Sequence, residues 1–180
     1  MTWSAPMTAV ANSTFTASQF NQFVRDNLNE TAPAKATAAG SYFASNGVNS
    51  IVERRGVTAV DLGSGTTTST TFANLNSPAS AGPAVTVETG PNALVIVRAS
   101  IENNGAGSAR MGYDISGAHT QAAADNRGIH IFSGANINIG ASDVTLMTTL
   151  TPGTSTFTSK YRVSSGTGTF DDRRITVLPF

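Results

Sequence analysis

The chain has 180 residues, with 11 Lys+Arg set against 11 Asp+Glu, and only 12% of it is charged. It therefore lacks the basic excess that neutralises phosphates or an anionic membrane surface, which argues against nucleic-acid binding and membrane-surface roles. It contains no cysteine, which excludes a disulfide framework, thiolate metal sites and a cysteine nucleophile.

The length suits one domain with a real core, or one domain plus an appendage. No basic region precedes an apolar run at the N-terminus, and no stretch is long and apolar enough to span a bilayer. A soluble, cytoplasmically made product is the expectation. Thr, Ser, Asn, Gly and Ala replace surface charge, a mixture that suits β-rich proteins packing against copies of themselves.

Residues 1–15 read as an extended arm, with Trp3 as a docking anchor or a ring folded back on its own chain. A helix is predicted near 17–29. Thr16-Ala17-Ser18-Gln19 fits a capping box, and Phe15 and Phe20 occupy the positions of a hydrophobic staple. Phe20, Phe23, Val24 and Leu28 recur at helical spacing on one face. Pro33 disfavours helix at Ala32. So short a helix is marginal alone and needs a partner surface. Arg25 and Asp26 lie on its polar side, as a solvated face or a charged contact with a neighbour.

Residues 36–57 read as a linker or neck. Tyr42-Phe43 and Ile51-Val52 form short strands there, around a turn at Ser45-Asn46-Gly47. From about residue 58 the period becomes two. Strands are predicted at Thr66 to Phe72, Ala84 to Thr89, Ala93 to Glu102, Ala109 to Ile115, Gly128 to Phe132, Asp143 to Leu150, Thr156 to Ser164 and Phe170 to Leu178. In the third, Val95, Val97 and Ile101 share one face and Leu94 and Ile96 join the other, so its first half is expected to be buried on both sides. In the seventh, Phe157, Tyr161 and Val163 point inward while Lys160 and Arg162 point outward. Turn-separated strands without helix-length apolar periods predict a mainly β fold, an antiparallel β-sandwich or jelly roll over 58–180. The apolar end of the chain makes Leu178 and Phe180 candidate contacts with an oligomer mate or partner.

The chemistry-bearing residues form no catalytic motif. His119 lies in a loop and His130 alternates with Ile129 and Ile131. No G-x-S-x-G elbow accompanies either histidine. Asp125 and Asp171-Asp172 are candidate hard-cation ligands, without a recognised calcium spacing. Asp171-Asp172-Arg173-Arg174 reads more simply as a charged strand edge. Gly63-Ser64-Gly65 is a turn, not a phosphate cradle. No catalytic residue, cofactor or metal ligand is expected.

Two segments resemble a known family. Phe15-Thr16-Ala17-Ser18-Gln19-Phe20-Asn21, Val24-Arg25-Asp26-Asn27-Leu28 and Glu30-Thr31-Ala32-Pro33-Ala34-Lys35-Ala36 resemble the start of small structural proteins of actinobacterial tailed phages. Leu150-Thr151-Pro152-Gly153, Phe157 to Val163, Gly166 to Phe170 and Asp172-Arg173 resemble their C-terminal β domain. The resemblance implies a virion structural protein, a minor tail, tail-fibre or capsid decoration protein, assembled in the host cytoplasm. Long collagen-like or coiled-coil shafts, present in many tail fibres, are absent from this sequence.

The resulting expectation is a non-enzymatic protein with an arm over 1–35, a neck over 36–57 and a β-sandwich over 58–180. Trp3, Phe15, Phe20, Phe23, Val24 and Leu28 would anchor it to another virion protein, in a homotrimer. Placement at the tail or tail tip, with loops 116–127 or 134–142 touching a host glycan or protein, competes with capsid decoration. A carbohydrate-binding module ranks third.

Overall fold

The computed structural model describes residues 3–132 and 135–180, with the backbone alone for Ala32 and Pro33. The chain divides into two compact units. One comprises the residues up to Arg55 together with Phe180, and the other runs from Gly56 to Pro179. Of the segment read as a neck, residues 36–55 fall in the first unit, and Gly56 and Val57 fall in the second.

In that unit the helical stretch begins as the capping box requires. The Thr16 hydroxyl accepts the Gln19 N–H, and the Gln19 side chain accepts the Thr16 N–H at 2.9 Å. The Phe15 and Phe20 rings meet edge-on, with centroids 6.2 Å apart. α1 (Ala17–Phe20) then passes into a π turn (Asn21–Arg25) and α2 (Asp26–Asn29), and a further turn, α3, spans Ala32–Lys35. A π turn holds an extra residue, which rotates the residues after it by about 100° relative to a continuous α-helix. The expected apolar stripe is consequently not the buried face. Asn27 is 5% exposed and Glu30 is buried, whereas Phe20 is 49% and Leu28 60% exposed.

Asn27 is buried because it acts as a strand partner. Its carboxamide accepts the Ser4 N–H at 2.9 Å, donates to the Ser4 carbonyl at 3.0 Å, and donates its second N–H to Phe23 O at 3.1 Å. One side chain thereby holds the extended N-terminal segment by the two bonds a neighbouring strand would supply.

The hairpin β1 (Tyr42–Gly47) and β2 (Ser50–Arg54) turns later than the Asn46-Gly47 pair suggested. Gly47 pairs with Ser50, so Val48 and Asn49 form the turn, and Asn49 adopts φ +54°. Asn46 falls instead at an irregularity in β1, between Ser45 and Gly47. Asn tolerates the left-handed region almost as Gly does, so either dipeptide could have served. Glu53 in β2 collects the N–H groups of Thr37 and Ala38 and the Thr37 hydroxyl. These bonds, the hydroxyl foremost, hold its carboxyl down at about 2.

The second unit contains β3 (Val57–Asp61), β4 (Gly65–Thr67), β5 (Leu75–Asn76), β6 (Ala79–Ser80), β7 (Ala84–Thr89), β8 (Ala93–Asn103), β9 (Ser108–Gly117), β10 (Ile129–Phe132), β11 (Ile139–Met147), β12 (Gly153–Val163) and β13 (Gly168–Pro179). Eight of these pair in nested fashion: β3 with β13, β7 with β12, β8 with β11, and β9 with β10, all antiparallel. That is one long hairpin rolled up on itself. Rolling adds the pairs β8–β13 and β9–β12, giving a four-stranded sheet ordered β10-β9-β12-β7 and a five-stranded sheet ordered β11-β8-β13-β3, in which β4 also pairs with β13. This is a jelly roll, and the chain is mainly β, as the sequence predicted.

The sheets enclose one core, which includes Val95, Val97, Ile101, Met111, Tyr113, Phe157, Tyr161, Phe170 and Ile175. The rings of Tyr161 in one sheet and Phe170 in the other pack at a tilt of 60°, with centroids 4.9 Å apart. The Tyr113 hydroxyl donates to the Met147 sulfur at 3.2 Å, and burial pushes its pKa to about 12.

Two strand readings need correction. The Thr run at 66–72 is a strand only through Thr67, after which hydroxyls bond their own backbone. Ser69 N–H donates to Thr67 Oγ1, and Ser69 Oγ donates to Thr71 O at 2.6 Å. Such local bonds compete with a ladder.

Asp171 to Arg174 is not a charged edge, because β13 lies between β8 and β3. Asp171 pairs with Ser100 and Arg174 with Arg98, so β13 carries one extra residue there, with Asp172 at φ +48°. The bulge switches the parity of the strand. Phe170 points inward before it and Arg173, Ile175 and Val177 point inward after it. Arg173 is 2% exposed. Its guanidinium pairs with Asp61 at 2.7 Å, donates to Gly63 O at 3.0 Å and lies 5.7 Å from the Tyr161 ring centroid.

This buried pair yields an asymmetric prediction. Asp61→Ala strands a buried guanidinium and should cost ~3–5 kcal/mol in urea unfolding. Arg173→Met leaves only Asp61, whose side chain is one-third exposed, and should cost clearly less.

Candidate functional site

The outer face of the four-stranded sheet is a polar surface walled by two loops. Strand alternation places Thr158, Lys160 and Arg162 of β12 and Arg110, Asp114 and Ser116 of β9 there. Their neighbours Phe157, Tyr161, Met111 and Tyr113 point into the core. Gly112 lies between Arg110 and Asp114, opposite Lys160. A Cβ on it would stand 3.1 Å from both the Phe72 ring and the Arg127 carbonyl. The absent side chain lets both loops close over the sheet.

Two loops wall this face, and both are hydrogen-bonded to it. Residues 69–74 run beside β12 beyond the end of β7. Ala73 and Tyr161 exchange N–H to O bonds at 3.0 and 2.9 Å, and Val163 N–H donates to Ser69 O at 2.8 Å. Residues 118–127 return over β9. There Ile115 and Gln121 exchange bonds at 2.8 and 2.9 Å.

Between the loops lie two adjoining clefts of about 430 and 460 Å³ that share Asp114, Ala122 and Lys160. Lys160 Nζ is fixed by Asn74 Oδ1 at 2.7 Å and Asp114 at 3.4 Å. Arg162 donates to Thr70 O at 3.4 Å, and its guanidinium lies 5.5 Å from the Phe72 centroid.

The register also aligns three basic groups. Arg162 stands opposite Arg110, and Arg110 opposite His130. Like charges placed so are mutually unfavourable. Asp125 relieves them from the 118–127 loop. It takes both Arg162 Nε and Nη2, at 2.8 and 2.6 Å, and Arg110 at 3.2 Å. The Arg162 bonds, with Arg110 nearby, hold the Asp125 carboxyl below its ordinary range. Partial burial and the Arg110 charge push the His130 pKa down.

Asp125 therefore binds two guanidinium groups. Among the described residues, no group of three or more His, Asp or Glu could hold a metal ion. His119 Nδ1 accepts the Thr151 N–H at 3.3 Å, so it acts as a loop tether.

The predicted anchoring residues lie elsewhere. In the first unit, Trp3 donates its backbone N–H to Asn49 O at 3.4 Å and lines a 350 Å³ cleft with Glu30, Thr31 and Ile51. Phe15, Phe20 and Leu28 are exposed, while Phe23 and Val24 are half-buried. Phe180 belongs to this unit, its ring 6.2 Å from Tyr42. In the second unit, Leu178 is half-buried opposite Leu94 on the outer face of the five-stranded sheet. Of the loop 134–142, Gly134 lies outside the described residues.

The sequence had singled out the 116–127 loop and the outward Lys160 and Arg162. It did not show that Phe72 and Asn74 join them, because the Thr run looked like a strand.

No family model matches the chain, and no curated relative matches it. Among solved structures, it is similar to that of Eiger TNF from S. frugiperda, with a TM-score of 0.43 and 11% identity. The match covers 69% of this chain and 92% of that one.

Asp125→Asn should free the 118–127 loop, seen as faster amide exchange at Ala122 to Asn126. Global stability should fall by less than about 1 kcal/mol, since the bridge is partly exposed. In the unmodified protein the carboxylate is more acidic folded than unfolded. The bridge is then fully present above the ordinary value of 3.8, and the same loosening should appear as pH falls below it.

Proposed function

We propose that this chain is a non-enzymatic structural protein of a tailed-bacteriophage particle. It is anchored through its N-terminal unit and displays the jelly roll at the tail or tail tip, where it contacts the host. The observation that carries this reading is the inverted burial of the arm. Its helical stretch buries the polar Asn27 and Glu30 and exposes Phe15, Phe20 and Leu28. An apolar surface on a charge-poor arm suits a protein partner. The resemblance of the arm and of the C-terminal strands to small phage structural proteins supports the same reading.

The protein acts as a homotrimer in this proposal. Val144 and Leu146, about 60% exposed, stand opposite Ile96 and Leu94, and Leu94 stands opposite Leu178. This makes an uncharged apolar patch on the outer face of the five-stranded sheet, up to the row of Arg98 and Arg174. Such a patch buries against another copy without desolvating charge. Leu146→Glu should convert the species seen by sedimentation equilibrium to monomer, with the fold retained.

Quantitative mass spectrometry of purified particles tests the placement. A small multiple of three copies, matching tail symmetry, is expected. Copies in proportion to the capsid lattice would move the protein to the head as a decoration protein, and absence from particles would overturn the reading. Phe20→Ser with Leu28→Ser should leave the protein folded but missing from particles.

A further inference from the structure

We propose that the cleft on the four-stranded sheet is a binding site for a short neutral oligosaccharide. This deepens the host-contact reading above and rests on it for where the ligand is met.

The first reason is the chemistry of the lining. The Lys160 ammonium, the Asp114 carboxylate 3.4 Å from it and the Gln121 amide line the clefts, and Asn74 holds Lys160 from beside them. Donors and acceptors therefore alternate at short range. A hydroxyl is at once donor and acceptor. Two hydroxyls on adjacent ring carbons can together give to the carboxylate and take from the ammonium. The Gln121 side chain lines the second cleft with Ser116, Thr120 and Thr158, which adds an amide and three hydroxyls for a ligand.

The second reason is charge. Asp114 offsets Lys160, and Asp125 occupies the guanidinium groups of both Arg162 and Arg110. A phosphate or sulfate would have to displace these carboxylates, and a cation would meet Lys160 and Arg162. A neutral ligand meets neither obstacle.

Third, the walls supply apolar surface beside the polar groups. Phe72 and Ala123 line one cleft and Ala122 lines both, as the C–H faces of a sugar require. Finally, the site is preformed. Both walls are hydrogen-bonded to the sheet, and Lys160 and Arg162 are each held by at least two groups, so little freedom is lost on binding. The clefts also fall in the size range of small-ligand sites.

The test is titration of the purified full chain, followed by amide resonances in two-dimensional NMR. The probes are neutral glucose-, galactose-, mannose- and arabinose-based oligosaccharides, with sialylated and sulfated oligosaccharides alongside. At least one neutral probe should shift the amides of Thr71, Asp114, Ala122 and Lys160 saturably. Asp114→Asn and Lys160→Met, each removing one charge-assisted bond, should weaken that probe by roughly tenfold or more. Their own spectra report whether the fold is kept. Thr71→Phe, on an exposed loop tip, is a second variant that should block the cleft without touching the sheet.

Saturation by no neutral probe, preference for a charged probe, or unchanged affinity in all three variants would overturn the assignment. The particle reading stands or falls separately, on copy number.

Discussion

The alternation of β12 governs much of this molecule. A strand can send only every second side chain inward, and β12 is paired on both sides. Ser155, Phe157, Ser159, Tyr161 and Val163 are therefore committed to the core, each almost wholly buried. Thr156, Thr158, Lys160 and Arg162 are left to the opposite face. A one-residue slip would bury two cations and expose two aromatic rings, so the register of the core and the composition of the cleft are a single choice. The loops obey the same choice. Asp125 and Asn74 are placed where the outward cations need partners, and Gly112 is the gap in the floor that admits Phe72.

The first unit is organised by a different economy. It has few buried apolar side chains, and Asn27 supplies by hydrogen bonding what packing does not. Its carboxamide is satisfied on one side by Ser4 and on the other by Phe23. Glu53 does the same for the segment at Thr37 and Ala38. Polar side chains thus tie together elements that carry their larger apolar groups outward. That division of labour leaves Phe15, Phe20 and Leu28 available to something else.

The sequence displayed the parts of the fold set by uninterrupted periodicity. β7 and β12 alternate cleanly, and they and β8 were legible to within a few residues, as was the capping box at Thr16. What escaped reading were places where one residue shifts the phase. The bulge at Asp172 reverses the parity of β13 and carries Arg173 into the core, although its neighbours look like a charged edge. The π turn over Asn21–Arg25 does the same to the helical stripe. In the hairpin, composition pointed to Asn46-Gly47, and the chain turns two residues later, at Val48-Asn49. The cleft was half legible. Lys160, Arg162 and the 116–127 loop could be named, but Asn74 and Phe72 come from a Thr-rich run whose loop character depends on hydroxyl-to-backbone bonds.

The nesting of the strands has an architectural consequence. Because β3 pairs with β13, Val57 at the start of the sandwich lies directly opposite Val177 near its end. The chain enters and leaves the domain through one doorway. A module built this way can be spliced into a surface loop of an unrelated host protein, or have its ends joined and be reopened elsewhere, without stretching any strand. The same pairing brings the two ends of the jelly roll together without either crossing a sheet.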